Sequence, residues 1–191
     1  MINVNKELFK GAPADERIEK ETLTYKALDA LGIEYMRADH DSADTIEDCR
    51  EVEKVLGAEI CKNLLLCNRQ ETVFYLLLMP GDKPFKTKDL SKQINSARLS
   101  FASAEKMLEL VNITPGSLSV TGLIFDKEKR VNLLIDRELL SDEYLCCHPC
   151  INTSTLKMKM SDALEKFIPS TSHEITYVDL PRYLPGESEG A

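Results

Sequence analysis

The densest chemistry in this sequence lies in five consecutive residues, Cys146-Cys147-His148-Pro149-Cys150. Thiols beside an imidazole suggest a metal site or a thiol nucleophile with its base. The spacing suits neither. A zinc site needs a second Cys/His pair at finger-like distance, and His40 and His173 are isolated in the sequence. Adjacent residues on a strand point to opposite faces, so Cys147 cannot easily pair with His148. Buried, inert cysteines and no metal are the better reading.

Two further segments could hold a ligand. In Pro115-Gly116-Ser117-Leu118-Ser119, a glycine lets backbone N–H groups approach a ligand oxygen, as in an oxyanion or phosphate cradle. Taken alone, an ordinary turn explains it better. Lys62-Asn63 directly precedes an apolar run. Its amine either sits in water at the strand mouth or holds a specific anion, and the pattern by itself favours water. The sequence contains no GxSxG, no Walker loop and no dinucleotide fingerprint.

These residues must be carried by regular elements. Apolar spacing predicts a helix from Arg17 to Leu31, stopped by Gly32, then a strand over Ile33–Ala38. Asp44 or Thr45 can cap a helix running to Leu56, because Asp48 follows Thr45 by three residues; Gly57 ends it. Asn63–Cys67 and Thr72–Met79 read as a hairpin, each strand apolar enough to be buried on both faces. Pro80-Gly81-Asp82 is a turn. Helices are expected at Thr87–Ile94, Ser103–Val111 and Asp162–Ile168, the last ended by Pro169. Further strands are expected at Arg130–Asp136, Thr153–Met158 and Ile175–Leu180. Strands and helices mix without strict alternation, which favours a mixed sheet packed by helices over a doubly wound parallel sheet. Residues 1–180 read as one domain, and 181–191 as a poorly ordered tail.

With 191 residues, 43% hydrophobic and 29% charged, the chain can bury a substantial core. Its longest apolar run, Val73–Met79, is far short of the ~20 residues that span a bilayer. The first residues lack the pattern of a signal peptide, so a cytoplasmic location with free thiols is expected. The net charge of −8 argues against nucleic-acid binding over the whole surface. The charge is uneven, however: residues 62–106 carry 8 basic and 4 acidic side chains, net +4, within an acidic chain. This island includes Lys62, Lys83, Lys86, Lys88 and Lys92. It reads either as a solvated face or as a local seat for phosphates.

Several segments, in order, carry a family resemblance: Cys61-Lys62-Asn63-Leu64, Met79-Pro80-Gly81-Asp82, Leu99-Ser100-Phe101-Ala102-Ser103, Thr114-Pro115-Gly116-Ser117, and Leu133–Asp136 followed by His148-Pro149 and Asn152-Thr153-Ser154-Thr155. Together they resemble the YbaK/prolyl-tRNA-synthetase-associated editing domains over about residues 23–168. The Lys-Asn pair and the Pro-Gly-Ser loop are similar to the free-standing subgroup that deacylates alanyl-tRNA(Pro). The resemblance implies a single compact α/β domain with a mixed, barrel-like sheet. It also implies hydrolysis of the ester joining a wrong amino acid to tRNA(Pro). Lys62 would hold the terminal adenosine region and Asn63 the aminoacyl end. Gly116 and the backbone after it would bind the carbonyl oxygen, with Ser117 and Ser119 in the same loop, and His148 would line the pocket. Thr45 and Asn152 would help shape it. No cofactor and no protein general base are implied, since positioned water and oxyanion stabilisation suffice, with the neighbouring ribose hydroxyl assisting. The expected partner is the tRNA(Pro) acceptor end, with prolyl-tRNA synthetase or an elongation factor as further partners, no membrane, and a monomeric state. The family's loop has a proline four residues after its glycine, and here that residue is Val120. A non-catalytic tRNA-binding or regulatory module, or a deacylase for a cysteinyl or seryl tRNA, are the competing expectations.

Overall fold

The computed structural model describes residues 2–43 and 45–183. Its strands are β1 (Phe9–Lys10), β2 (Tyr35–Asp39), β3 (Lys62–Asn68), β4 (Phe74–Met79), β5 (Leu99–Phe101), β6 (Val131–Asp136), β7 (Tyr144–Cys147), β8 (Ser154–Lys159) and β9 (Ile175–Val178). They form two sheets. One is antiparallel, in the order β1-β2-β8-β7; the other is mixed, in the order β5-β3-β4-β6-β9. In the second, β4–β6 and β6–β9 are parallel. The sheets meet along one seam, where Ile60 bridges to Cys146 and the Cys61 N–H donates to the Cys146 carbonyl at 3.1 Å. The mixed α/β domain matches the expectation. The sheet does not close into a barrel.

The leucine-rich strands bury both faces, as their unbroken apolar runs predict. Leu65, Leu76, Leu78, Leu133 and Ile135 face the core between the sheets, with Tyr25 and Leu28 of helix α1 (Glu19–Ala30). Leu66, Leu77, Met79 and Leu134 face the opposite way and pack against Leu90 of α3 (Thr87–Gln93) and against Val178 and Leu180. A third cluster seats Val52 and Leu56 of α2 (Ile46–Leu56) on Ala38 and Cys146. Helix α4 (Ala104–Val111) is capped by Ser103, whose hydroxyl accepts from the Lys106 N–H at 3.2 Å.

The expected last helix differs in extent. It begins two residues earlier, as α5 (Met160–Asp162), widens into a π-helical stretch over Ala163–Phe167, and continues as α6 (Ile168–Ser170) with Pro169 inside it. The widened turn accommodates a proline that lacks an N–H and would crowd the preceding turn of a regular helix. Strands β1, β5 and β7 are too short to show a period in the sequence. The segment Pro181–Tyr183 is tied down: Arg182 pairs with Asp82 at 2.8 Å and with Glu138 at 2.6 Å, and the Tyr183 hydroxyl donates to Asp89. Residues 184–191, the rest of the expected tail, lie outside the described residues. Among the described residues no helix is long and apolar enough to cross a membrane.

Candidate active site

A cavity of about 430 Å³ opens at the seam between the sheets, and Thr45, Lys62, Gly116 and His148 line it together with Cys61, Glu53, Gly81 and Asp82. That size suits a small-molecule or nucleoside-sized ligand.

Each wall is set by local chemistry. Thr45 caps α2: its hydroxyl accepts from the Asp48 N–H at 3.1 Å and donates to the Asp48 carboxylate at 2.8 Å. Gly57 closes that helix at φ +62°, its N–H donating to the Glu53 carbonyl at 2.8 Å. Lys62 opens β3 opposite Met79, the last residue of β4. Its half-buried amine reaches across the following turn and donates to the Lys83 carbonyl at 2.8 Å. Burial lowers the pKa of this amine, and the nearby Asp82 charge opposes the shift. At the turn itself, a Cβ on Gly81 would stand 2.4 Å from the Ile60 carbonyl oxygen, so only glycine lets the two backbones approach.

The Gly116 loop is a type II turn. The Ser117 N–H donates to the Thr114 carbonyl at 3.1 Å, with Pro115 and then Gly116 at φ +85° between them. The Ser117 amide is therefore engaged in closing the turn. The Gly116 N–H donates to no backbone carbonyl outside the regular elements among the described residues. Val120, at the family's proline position, is fully buried in the core between the sheets.

His148 lies just past the end of β7, buried at 7% exposure. Its Nδ1–H donates to the Ser154 carbonyl at 2.9 Å, which leaves Nε2 as the acceptor of the neutral ring. Burial pushes its pKa down to about 4; the Ser154 bond opposes this, and His40 adds to it. His40 is not isolated in the fold. Its ring lies 6.1 Å from that of His148, and the Thr155 hydroxyl bridges the two, at 2.8 Å from His40 Nε2 and 3.2 Å from His148 Nδ1. The pairing of β2 with β8, Asp39 opposite Ser154, brings these distant residues together. His173 lies elsewhere, bonded to Asp126 at 3.1 Å.

Four of the sequence candidates stand off the cavity wall. The Asn63 amide donates to the Cys61 carbonyl at 3.1 Å and lies near the Cys61 sulfur at 3.3 Å; its buried Oδ1 has no partner among the described residues. Ser117 is buried beside the turn. Ser119 caps the 3₁₀ turn Val120–Ile124, its hydroxyl accepting from the Thr121 N–H at 3.3 Å. Asn152 acts from outside: its carbonyl accepts from the Ala43 N–H at 3.0 Å and its side chain donates to Ser42 at 2.7 Å, fixing the chain that leads to Thr45.

The cysteines of the 146–150 cluster are buried and free. Burial raises the Cys61 and Cys146 thiols to about 12 and keeps Cys147 protonated as well. None is poised as a nucleophile. Among the described residues no cluster of three metal-ligating side chains forms. The basic island is also narrower than the sequence suggests. Lys83 is buried at 1% exposure, held by Asp136 at 2.6 Å and Glu138 at 2.9 Å, whereas Lys88 and Lys92 on α3 are exposed. What the cavity brings together is the Lys62 amine, the Gly116 turn and the neutral His148 imidazole, and among the described residues neither of its lining thiols is activated.

Comparison with known proteins finds that the family profile described as aminoacyl-tRNA editing domain matches residues 40–166. The chain is 29% identical over 153 residues to the prolyl-tRNA editing protein ProX of Acetoanaerobium sticklandii, covering 80% of this chain and 93% of that one. It is 29% identical over 164 residues to prolyl-tRNA synthetase associated domain-containing protein 1 of Danio rerio, covering 85% and 86%. A solved structure of a candidate trans-editing enzyme for prolyl tRNA synthetase superposes with a TM-score of 0.63 at 14% identity, over 87% of this chain and all of that one. At that identity the likeness speaks for the fold.

Proposed function

This chain belongs to the aminoacyl-tRNA editing domain family, and on that premise we propose that it is a deacylase of mischarged tRNA(Pro), with alanyl-tRNA(Pro) as substrate. The observation that carries the reading is the meeting of Lys62, Gly116 and His148, from three distant segments, around one cavity that holds no activated nucleophile. An aminoacyl ester is already activated, so positioned water and a stabilised oxyanion suffice. Water adds to the ester carbonyl, the Gly116 N–H donates to the developing oxyanion, and the bond to the ribose oxygen breaks. The neighbouring ribose hydroxyl takes the proton that the attacking water loses and passes its own to that leaving oxygen. Lys62 anchors the terminal nucleotide. The similarity to ProX, a prolyl-tRNA editing protein, supports tRNA(Pro) as the carrier.

Selection of alanine over proline rests on size. A difference of one or two methylenes in binding gives only ~10–200-fold, so steric exclusion from the cavity adds to it. Val120 faces the core, and the type II turn at Gly116 forms without the family's proline. The test is release of amino acid from a panel of alanyl-, cysteinyl-, seryl- and prolyl-tRNA(Pro). Hydrolysis of the alanyl ester well above the rest is expected. Equal or no hydrolysis across the panel rejects the reading.

A further inference from the structure

We propose that His40 and Thr155 are positioning residues that lock the tautomer of His148, so that its Nε2 always meets the substrate as a hydrogen-bond acceptor. The substrate half of this inference rests on the deacylase reading; the tautomer half does not.

The donors and acceptors leave one consistent direction for the chain. The Asp41 carbonyl can only accept, so His40 Nδ1, at 2.7 Å, carries the proton. The buried, neutral His40 ring then has a lone pair at Nε2, and the Thr155 hydroxyl 2.8 Å away must donate to it. With its single proton committed, the Thr155 oxygen can only accept from His148 Nδ1, at 3.2 Å. The Ser154 carbonyl, 2.9 Å from the same nitrogen, makes the same demand. His148 is thereby held as the Nδ1–H form, which a free histidine side chain does not prefer. Its remaining nitrogen has no hydrogen-bond partner among the described residues, and the residue lines the cavity. All three side chains are buried, at 8%, 0% and 7% exposure for His40, Thr155 and His148, so water does not compete within the chain. If His40 did not claim the Thr155 proton, the hydroxyl could donate to His148 Nδ1. That would favour the Nε2–H form, which presents a donor where the substrate meets an acceptor. The donor that His148 receives belongs to the reacting end of the substrate: the attacking water, the ribose hydroxyl or the α-ammonium.

The experiment is long-range ¹H–¹⁵N correlation of the imidazole nitrogens in the full chain, which has only 3 histidines to assign. At neutral pH the expected pattern for His148 is a protonated Nδ1 and an unprotonated Nε2. An Nε2–H form, or an exchanging mixture, in the wild type overturns the lock even if no variant folds. Thr155→Val keeps the shape and removes the hydroxyl, and His40→Phe keeps the ring and removes the acceptor. His40→Phe frees the Thr155 proton to donate to His148 Nδ1, and should populate the Nε2–H form and lower the single-turnover deacylation rate by roughly 5- to 10-fold, the size of one hydrogen bond. Thr155→Val leaves the Ser154 carbonyl to hold the Nδ1–H form, so adding it to His40→Phe should restore both tautomer and rate. A folded His40→Phe protein with wild-type tautomer and rate refutes the proposal. If the wild type hydrolyses no aminoacyl-tRNA, the deacylase reading fails on its own, while the nitrogen shifts still decide the lock.

Discussion

Gly81→Ala is the sharpest single test of how the cavity is built. The added Cβ would lie 2.4 Å from the Ile60 carbonyl oxygen, a backbone atom that cannot rotate away. Relief to an ordinary contact of about 3.2 Å needs the turn and the Ile60 segment to separate by about 0.8 Å, a strain on the order of 1–3 kcal/mol. Both partners of that contact line the cavity. Ile60 leads through Cys61 to Lys62, and Gly81 leads through Asp82 to Lys83, whose carbonyl holds the Lys62 amine at 2.8 Å. A shift near 1 Å at a positioning group can cost ~100-fold in rate. Single-turnover hydrolysis of alanyl-tRNA(Pro), alongside a thermal melt by circular dichroism, is the assay. The expected result is a folded, moderately destabilised protein whose rate is down by roughly two orders of magnitude. A variant with that loss of stability but a wild-type rate would show that the Gly81 contact supports the fold and not the site.

Lys62→Ala should cut the same rate by ~100-fold while costing only about 1 kcal/mol of stability for one partly exposed hydrogen bond; a folded variant near the wild-type rate removes Lys62 from the mechanism. Lys88→Ala with Lys92→Ala should weaken tRNA binding and flatten the slope of log affinity against log salt by about 2, one for each phosphate that the two amines neutralise; an unchanged slope would make the exposed face of α3 a bystander. Lys83→Met should instead cost about 3–5 kcal/mol of stability, because it strands Asp136 in the core; a variant that melts like the wild type contradicts the burial of this pair. Stability should fall with acid through His148. Its pKa is about 4 when folded and near 6.5 when unfolded, so the unfolded chain takes up the proton first. This contribution is whole above about pH 6.5 and is lost toward pH 4, on the order of 3 kcal/mol. His40, lowered likewise, acts in the same direction, while buried Glu21 and half-buried Glu53, both raised, act in the opposite one. Denaturant titrations of wild type and His148→Phe across this range isolate the contribution of His148, and parallel pH profiles would refute it.

Helices and the central strands were legible because they are written in local signals. Thr45 with Asp48, and Ser103 ahead of Ala104, are caps that need no tertiary partner. The unbroken apolar runs of β3 and β4 declared burial on both faces before any neighbour was known. The ordered motifs located Lys62, Gly116 and His148, and the fold gathers these three at one cavity. What could not be read was whatever depends on the meeting of two strands. Lys83 looked like one more member of a basic island, and only the parallel pairing of β4 with β6 puts Asp136 within its reach. Ser117 and Ser119 looked like ligand groups of a loop, yet a type II turn engages the amide of one and a 3₁₀ cap the hydroxyl of the other.

The seam explains why the site stands where it does. Two sheets that bury their facing sides against each other must leave an end where the layers separate, and here that end is bridged where Ile60 and Cys61 meet Cys146. The chain leaves the bridge on one side into Lys62 and on the other into His148, so the amine and the imidazole diverge from a common anchor. Gly81 fits against the backbone of that same anchor, and the Gly116 turn completes the wall. Lys62 is fixed by a backbone carbonyl and His148 by a carbonyl and a buried hydroxyl, so neither depends on an exposed ion pair for its orientation. Placement of this kind is insensitive to salt, whereas the exposed lysines of α3 act through a screened field. Raising ionic strength should therefore weaken capture of the RNA and leave the rate of the bound complex unchanged.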